Sequence, residues 1–171
     1  ETALPFSSPF SVRAMHDVAY HLAGIGNPLF FPHYRTHAGV SAPLEYLGYL
    51  RRFSLLRVWT PRDKALIDKL LGFGGGFYVL PLQLNSDAQI RDHSRFDDMT
   101  GVMEYVLESF ARFSPGNSRL LIKNHPLDMG LVNYPRVLRG LCKRFGLDDR
   151  IDFVESGDLS ALLDSARGVV T

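Results

Sequence analysis

Hydrophobic positions change their period part-way along the chain. From Phe77 onward, short apolar runs alternate with segments whose apolar residues recur every three or four positions. Phe77 to Leu84 is a short apolar run that predicts a buried strand ending near Pro81. Phe96 to Phe113 places Met99, Val102, Met103, Val106, Leu107, Phe110 and Ala111 at helical spacing, and Ser114-Pro115-Gly116-Asn117 reads as a turn. Arg119 to Lys123 predicts a second strand, Tyr134 to Phe145 a helix stopped by Gly146, and Ile151 to Val154 a third strand. Asp158 is placed to cap a short helix through Leu159, Leu162 and Leu163, and Val169-Val170 to start a fourth strand. Three alternations of strand and helix predict an α/β fold built on a parallel sheet.

Residues 1–75 follow a different pattern. They hold six of the ten prolines, and His16, His21, His33 and His37 among the six histidines. Leu44, Leu47, Leu50, Leu55 and Val58 approach helical spacing from Pro43 to Trp59. Thr60-Pro61-Arg62-Asp63 reads as an N-cap followed by Pro at the first helical position, opening a second helix to about Leu71. The expectation is a mainly helical connector over 1–75 with some extended arms, then a sheet domain over 76–171.

Composition narrows the function classes. With 46% hydrophobic and 22% charged residues, the chain can bury a core and is not disordered. A formal charge of +1 supplies no electrostatic footprint for nucleic acid. The single Cys142, on an apolar helix face, excludes an intrachain disulfide framework and is compatible with a reducing cytoplasm. No apolar run approaches the roughly 18–20 residues of a membrane span, and Glu1 to Pro9 shows no signal-peptide pattern. The missing initiator Met and the apolar ending Gly168-Val169-Val170-Thr171 suggest a piece of a longer protein.

Open parallel sheets bind ligands beyond the carboxyl ends of their strands, so the polar residues there are the candidates. Gln83 to Ser94 follows the first strand and contains Asp87, His93 and Ser94. It is either a ligand-facing loop or a solvated connection whose Asx and Ser residues form turns. Lys123-Asn124-His125-Pro126-Leu127-Asp128 follows the second strand. Pro126 biases His125 toward extended backbone, where its imidazole can hold a phosphate beside Lys123; the alternative is a lone loop His before a turn-forming Pro. Gly72 to Gly76 precedes a strand rather than following one, which favours a hinge over a phosphate loop. Asp97-Asp98 suits the positive end of a helix dipole. His16/His21 and His33/His37 form no recognisable ligand set, and no Asp-x-Asp pair occurs, so no metal is expected.

The two loops together, Pro81-Leu82-Gln83 through Asp87-Ala88-Gln89-Ile90 to His93-Ser94, then Ile122 to Asp128, resemble the capsule polysaccharide biosynthesis/export family. Its better understood members are bacterial β-Kdo transferases. The likeness is strongest from Phe77 to Thr171 and extends less fully to Tyr34-Arg35. It implies a Rossmann-like nucleotide-sugar-binding domain over 76–171, part of a GT-B-like glycosyltransferase and cut short at its C-terminus. The implied donor is CMP-Kdo, and the implied acceptor is a lysophospholipid or Kdo-extended glycolipid at the inner membrane. His125 would contact the CMP phosphate with Lys123 in support, Asp87 would be the catalytic carboxylate, and Gln83, His93 and Ser94 would line the pocket. Retaining transfer through a covalent adduct needs such a carboxylate, and departing CMP needs donors on its phosphate. The family's Asn-Ser/Thr-rich loop after the fourth strand has no counterpart before Thr171, and its first Rossmann domain is not recognisable in 1–75. The resemblance also implies a cytoplasmic protein, peripheral at the membrane, with other capsule proteins as partners. A non-catalytic export or scaffold component and a sialyltransferase-like enzyme are the alternatives.

Overall fold

In the computed structural model, which describes residues 10–24, 27–33, 42–74, 76–85 and 87–171, the apolar runs pair as one parallel sheet. Its strands are β1 (Phe77–Pro81), β2 (Arg119–Lys123), β3 (Ile151–Val154) and β4 (Gly168–Val169), in spatial order β3-β2-β1-β4. Leu121 aligns with Val79 on one side of β2 and with Asp152 on the other, and β4 pairs with β1 through Val79 and Val169. The helices are α1 (Phe10–Gly24), α2 (Asn27–Phe30), α3 (Ala42–Leu71), α4 (Ala88–Arg91), α5 (Met99–Phe113), α6 (Tyr134–Phe145) and α7 (Leu159–Ser165). The α/β class and the parallel, Rossmann-like sheet expected from the sequence are present.

Side-chain alternation along the strands builds a core on each face of the sheet. Leu80, Leu120 and Ile122 face α5 and α6, where they meet Met103, Leu107, Leu138 and Leu141. Phe77, Val79, Leu121 and Val154 face the other way, onto Leu70 of α3 and Leu162 of α7. Because both faces are covered, β2 reads as an almost unbroken apolar run. Helix ends follow their caps. Asp98 Oδ1 accepts the Gly101 N–H at the start of α5, and Asp158 Oδ1 accepts the Ser160 N–H at the start of α7. Gly146 ends α6 at φ 69°, a left-handed conformation that a side chain would resist. Cys142 is buried in the α6 core, as its apolar neighbours suggest.

The largest difference from expectation is α3. The sequence at Thr60-Pro61 predicts two helices meeting there; the structure has one helix of 30 residues with Pro61 inside it. A mid-helix Pro removes one hydrogen bond and crowds the carbonyl four residues back, at a cost of about 3 kcal/mol. Here Pro61 and Arg57, whose carbonyl would have been its partner, are both exposed, so water serves that carbonyl. Asp63, Leu66, Ile67 and Leu70 still pack on the domain beyond Pro61, which favours continuing the helix over breaking it.

The chain divides into two compact units, residues 1–42 and 43–171, so nearly all of α3 groups with the sheet. The first unit contains α1 and α2, and in it His21 lies 3.7 Å from Asp17, one turn away on α1. His33 is exposed; His37 and the Tyr34-Arg35 region lie outside the described residues. In the second unit, α3 comes so close to the loop after β2 that a Cβ on Gly48 would collide with the Met129 carbonyl. Gly48→Ala is therefore expected to destabilise the fold by about 1–3 kcal/mol. Gly140→Ala, at an open position on α6, is expected to stabilise it by about 0.5–1 kcal/mol. Urea denaturation of the two variants checks the pair; equal effects would show that α3 does not seat against Met129.

Candidate functional site

At the carboxyl ends of β2 and β3, polar side chains from three segments meet. Arg52, 3% exposed, projects from α3 and donates through Nη1 to the carbonyls of Pro126 (2.9 Å) and Asp128 (2.6 Å). Its Nη2 lies 3.4 Å from the carboxylate of Glu155, just past β3. Glu155 also accepts from Asn124 Nδ2 at 2.7 Å, and Asn124 Oδ1 accepts the His125 N–H at 2.8 Å. One residue network thus spans the His125-Pro126 loop from both sides. Three turns further along α3, buried Asp63 accepts the backbone N–H groups of Glu155 and Ser156 at 2.9 Å each, and the Ser156 hydroxyl at 3.0 Å.

This network fixes the state of His125. Its Nδ1 accepts the Leu127 N–H at 3.1 Å, so the neutral ring carries its proton on Nε2 and presents that atom as the free donor. Burial lowers the His125 pKa from its ordinary value, and the positive charges of Lys123 and Arg52 lower it further against the pull of Asp128 and Asp87. Lys123 is only 6% exposed and donates to the Asn124 carbonyl at 3.3 Å. Burial and the Arg52 charge lower its pKa as well, while Asp158, Asp63 and Glu155 oppose that shift. Burial raises the Glu155 pKa, with the Asn124 hydrogen bond and Arg52 countering it.

The loop after β1 supplies the other candidates. Asp87 is half-buried; its Oδ1 accepts the Gln89 N–H at 2.9 Å and so caps the single-turn α4. β1 and β2 are parallel neighbours with Pro81 opposite Lys123, so the loops carrying Asp87 and His125 leave the same edge of the sheet. Gln83, His93 and Ser94 are exposed. The Ser94 hydroxyl is engaged with its own loop, donating to the Ile90 carbonyl at 2.6 Å and accepting the Phe96 N–H at 3.0 Å. Ser86 lies outside the described residues. Asn85 anchors the loop to α5 by accepting the Met99 N–H at 2.9 Å. Among the described residues, no group of three or more His, Cys, Asp or Glu side chains is arranged to hold a metal ion. No helix among them is long and apolar enough to cross a membrane.

A polar sheet edge of this kind serves many chemistries, and comparison with known sequences narrows them. The sequence pattern of the family described as capsule polysaccharide biosynthesis protein matches residues 2–171. The chain belongs to that family. It is 32% identical over 160 residues to the capsule polysaccharide export protein KpsS of Escherichia coli, covering 93% of this chain and 41% of the relative. It is 30% identical over 170 residues to the capsule polysaccharide modification protein LipB of Neisseria meningitidis serogroup B, covering 98% of this chain and 40% of the relative. The chain thus spans about two fifths of the length of these curated relatives. No solved structure matches it.

Reading the family loops alone overlooked the residues that hold them in place. Arg52, Asp63 and Glu155 carry no motif. The available signal was positional: Gly48, Leu55, Trp59, Leu66 and Leu70 form one stripe of α3, and Arg52 and Asp63 interrupt it at core-facing positions. Charged residues in such a stripe need buried partners.

Two outcomes follow from this geometry. Arg52→Ala leaves the Glu155 carboxylate and two carbonyls without their donor and is expected to cost about 3–5 kcal/mol in a denaturation experiment, with Arg52→Lys retaining part of it. His125, followed by its ring C–H resonances, is expected to titrate below its ordinary value of 6.5. A depressed histidine pKa means the unfolded chain binds the proton first. The His125 contribution is therefore full above pH 6.5 and is lost as pH falls from there to the folded-state pKa. His125→Gln is expected to flatten that part of the stability–pH curve.

Proposed function

We propose that the 43–171 unit binds the donor nucleotide of a capsule glycosyltransferase that transfers Kdo from CMP-Kdo to a phospholipid-linked acceptor without a metal ion. The observation that carries this reading is that the loops bearing Asp87 and His125 leave the carboxyl ends of adjacent parallel strands, with Lys123 ending the second of them. His125 Nε2–H donates to the CMP phosphate. Lys123, held inside the fold, adds positive potential there rather than a direct contact. As negative charge grows on departing CMP, these groups favour the transition state over the bound donor. Asp87 is the carboxylate available to the anomeric carbon, and it forms the covalent adduct of a retaining transfer. Gln83 and His93 are free to line the sugar pocket, and Ser94 contributes through the shape of the loop. The full-length protein works at the cytoplasmic face of the membrane alongside other capsule proteins.

The test is turnover of CMP-Kdo with a lipid acceptor by full-length protein, together with calorimetric titration of CMP. Asp87→Ala is expected to lower turnover by about 10²–10⁴ while leaving CMP affinity within a few fold. His125→Ala is expected to weaken CMP binding and lower turnover by about 10²–10³. Wild-type turnover by both variants would overturn the site assignment. The likeness to an export protein of Escherichia coli favours a second reading as a non-catalytic export component. On that reading CMP does not bind at all. Another CMP-sugar in place of CMP-Kdo is distinguished by donor profiling.

A further inference from the structure

β3 is the last strand on its side of the sheet, and its outer edge has no neighbouring strand among the described residues. Its inner edge bonds to β2 through alternate residues. The Leu120 N–H donates to the Arg150 carbonyl and the Asn124 N–H to the Val154 carbonyl, at 2.9 Å each. In a parallel ladder a residue sends its N–H and its C=O to the same neighbour. Asp152 and Val154 therefore face β2, while Ile151 and Phe153 turn their backbone groups outward. The strand has neither the Lys nor the Pro that blunts many exposed edges, and its one charge, Asp152, is held by Arg119 at 2.7 and 3.0 Å.

This edge lies in a groove of about 500 Å³, with Trp59, Leu66 and Lys69 of α3 on one side and Pro135 of α6 on the other. The carboxylates lining it are already committed: Asp152 to Arg119, Glu155 to Arg52 and Asn124, and Asp63 to the amides of Glu155 and Ser156. Arg62 and Lys69 are exposed, and neither has an ion pair or hydrogen bond among the described residues. They stand about 10 Å apart on one side of α3, two turns from each other. Backbone donors and acceptors spaced along a strand are matched by another extended chain, whose own peptide groups repeat at the same interval. A second copy of this chain is a poorer match. A two-fold pairing of β3 with β3 puts both α3 helices on one face of the joined sheet, with Arg62 and Lys69 of each copy toward the other.

We propose that the β3 edge is a docking site for a partner protein, which adds an extended segment as a fifth strand and sets acidic side chains against Arg62 and Lys69. Side chains of an added strand alternate between the two faces of the sheet, so the acidic residues fall at every second position. The groove is built within the 43–171 unit, and its occupancy does not depend on the proposed glycosyl transfer.

The probe is a capped seven-residue peptide of alternating Glu and Val, titrated against the full chain. Trp59, the only tryptophan, lines the groove and supplies the signal. A saturable emission change is expected, weaker at higher ionic strength and absent when Lys replaces Glu in the peptide. Of two peptides N-methylated on opposite alternate sets of amides, the one blocked on the side facing β3 is expected to lose binding and the other to keep it. Arg62→Gln combined with Lys69→Gln, both exposed, is expected to weaken binding about three- to tenfold. Hydrogen exchange reads the edge itself. The Ile151 and Phe153 amides are expected to exchange quickly in the free chain and at least about tenfold more slowly with peptide bound, while Asp152 and Val154 are slow in both. No saturable response, equal affinity for the Lys peptide, an unaltered affinity in the double variant, or indifference to which amides are methylated overturns the docking site. Slow exchange of Ile151 and Phe153 in the free chain overturns it as well. Self-association that protects those two amides assigns the edge to a second copy and overturns the partner.

Discussion

The functional edge of this protein depends on one helix being tied to the ends of two strands. Arg52 and Asp63 are 11 residues apart, about 16–17 Å along the helix axis and nearly on the same side of it. One face of α3 therefore reaches the loop after β2 through Arg52 and the loop after β3 through Asp63. Both residues are buried, and each satisfies backbone groups that a tight loop would otherwise leave unpaired. A buried cation and a buried carboxylate are costly to desolvate, so each is tolerable only with its full set of partners. That requirement makes the strand ends and α3 a single mechanical unit.

The electrostatics of the edge follow from this arrangement. Lys123 and Arg52 are two cations kept inside the fold, balanced by Glu155, Asp63, Asp128 and Asp158 around them. His125 sits at the margin of that set. The ring is held neutral by burial and nearby positive charge, and its orientation is set by the Leu127 amide on Nδ1. A neutral imidazole aimed by its second nitrogen is a hydrogen-bond donor ready for an anion without first changing its protonation state. Asp87, on the loop after the neighbouring strand β1, caps α4. That side chain thus has the turn-forming role that its residue type favours.

The family match and the sheet fall in the same span of sequence. Relatives named for capsule polysaccharide modification and export are matched over nearly the whole chain but over about two fifths of their own length. Within that span lie a four-stranded parallel sheet and the loops at its carboxyl edge, the place where open α/β sheets bind ligands. The groove along β3 adjoins those loops, and it shares Glu155 with the network that supports His125.

Local patterning by itself determined the sheet domain. The bounds of β2, β3 and α6 were legible to the residue, because short apolar runs, period-3.6 burial, a left-handed Gly146 and capping Asp158 are properties of short segments. The loops carrying Asp87 and His125 were legible for the same reason, through their positions after strands. The continuity of α3 was not, since the local signal at Thr60-Pro61 is that of a helix start. Only packing of Asp63 and Leu70 beyond the proline, with the orphaned carbonyl facing water, decides for one helix. The roles of Arg52, Asp63 and Glu155 were likewise settled by tertiary structure. Their partners lie 31 to 103 residues away, and no local pattern specifies a bond across that distance.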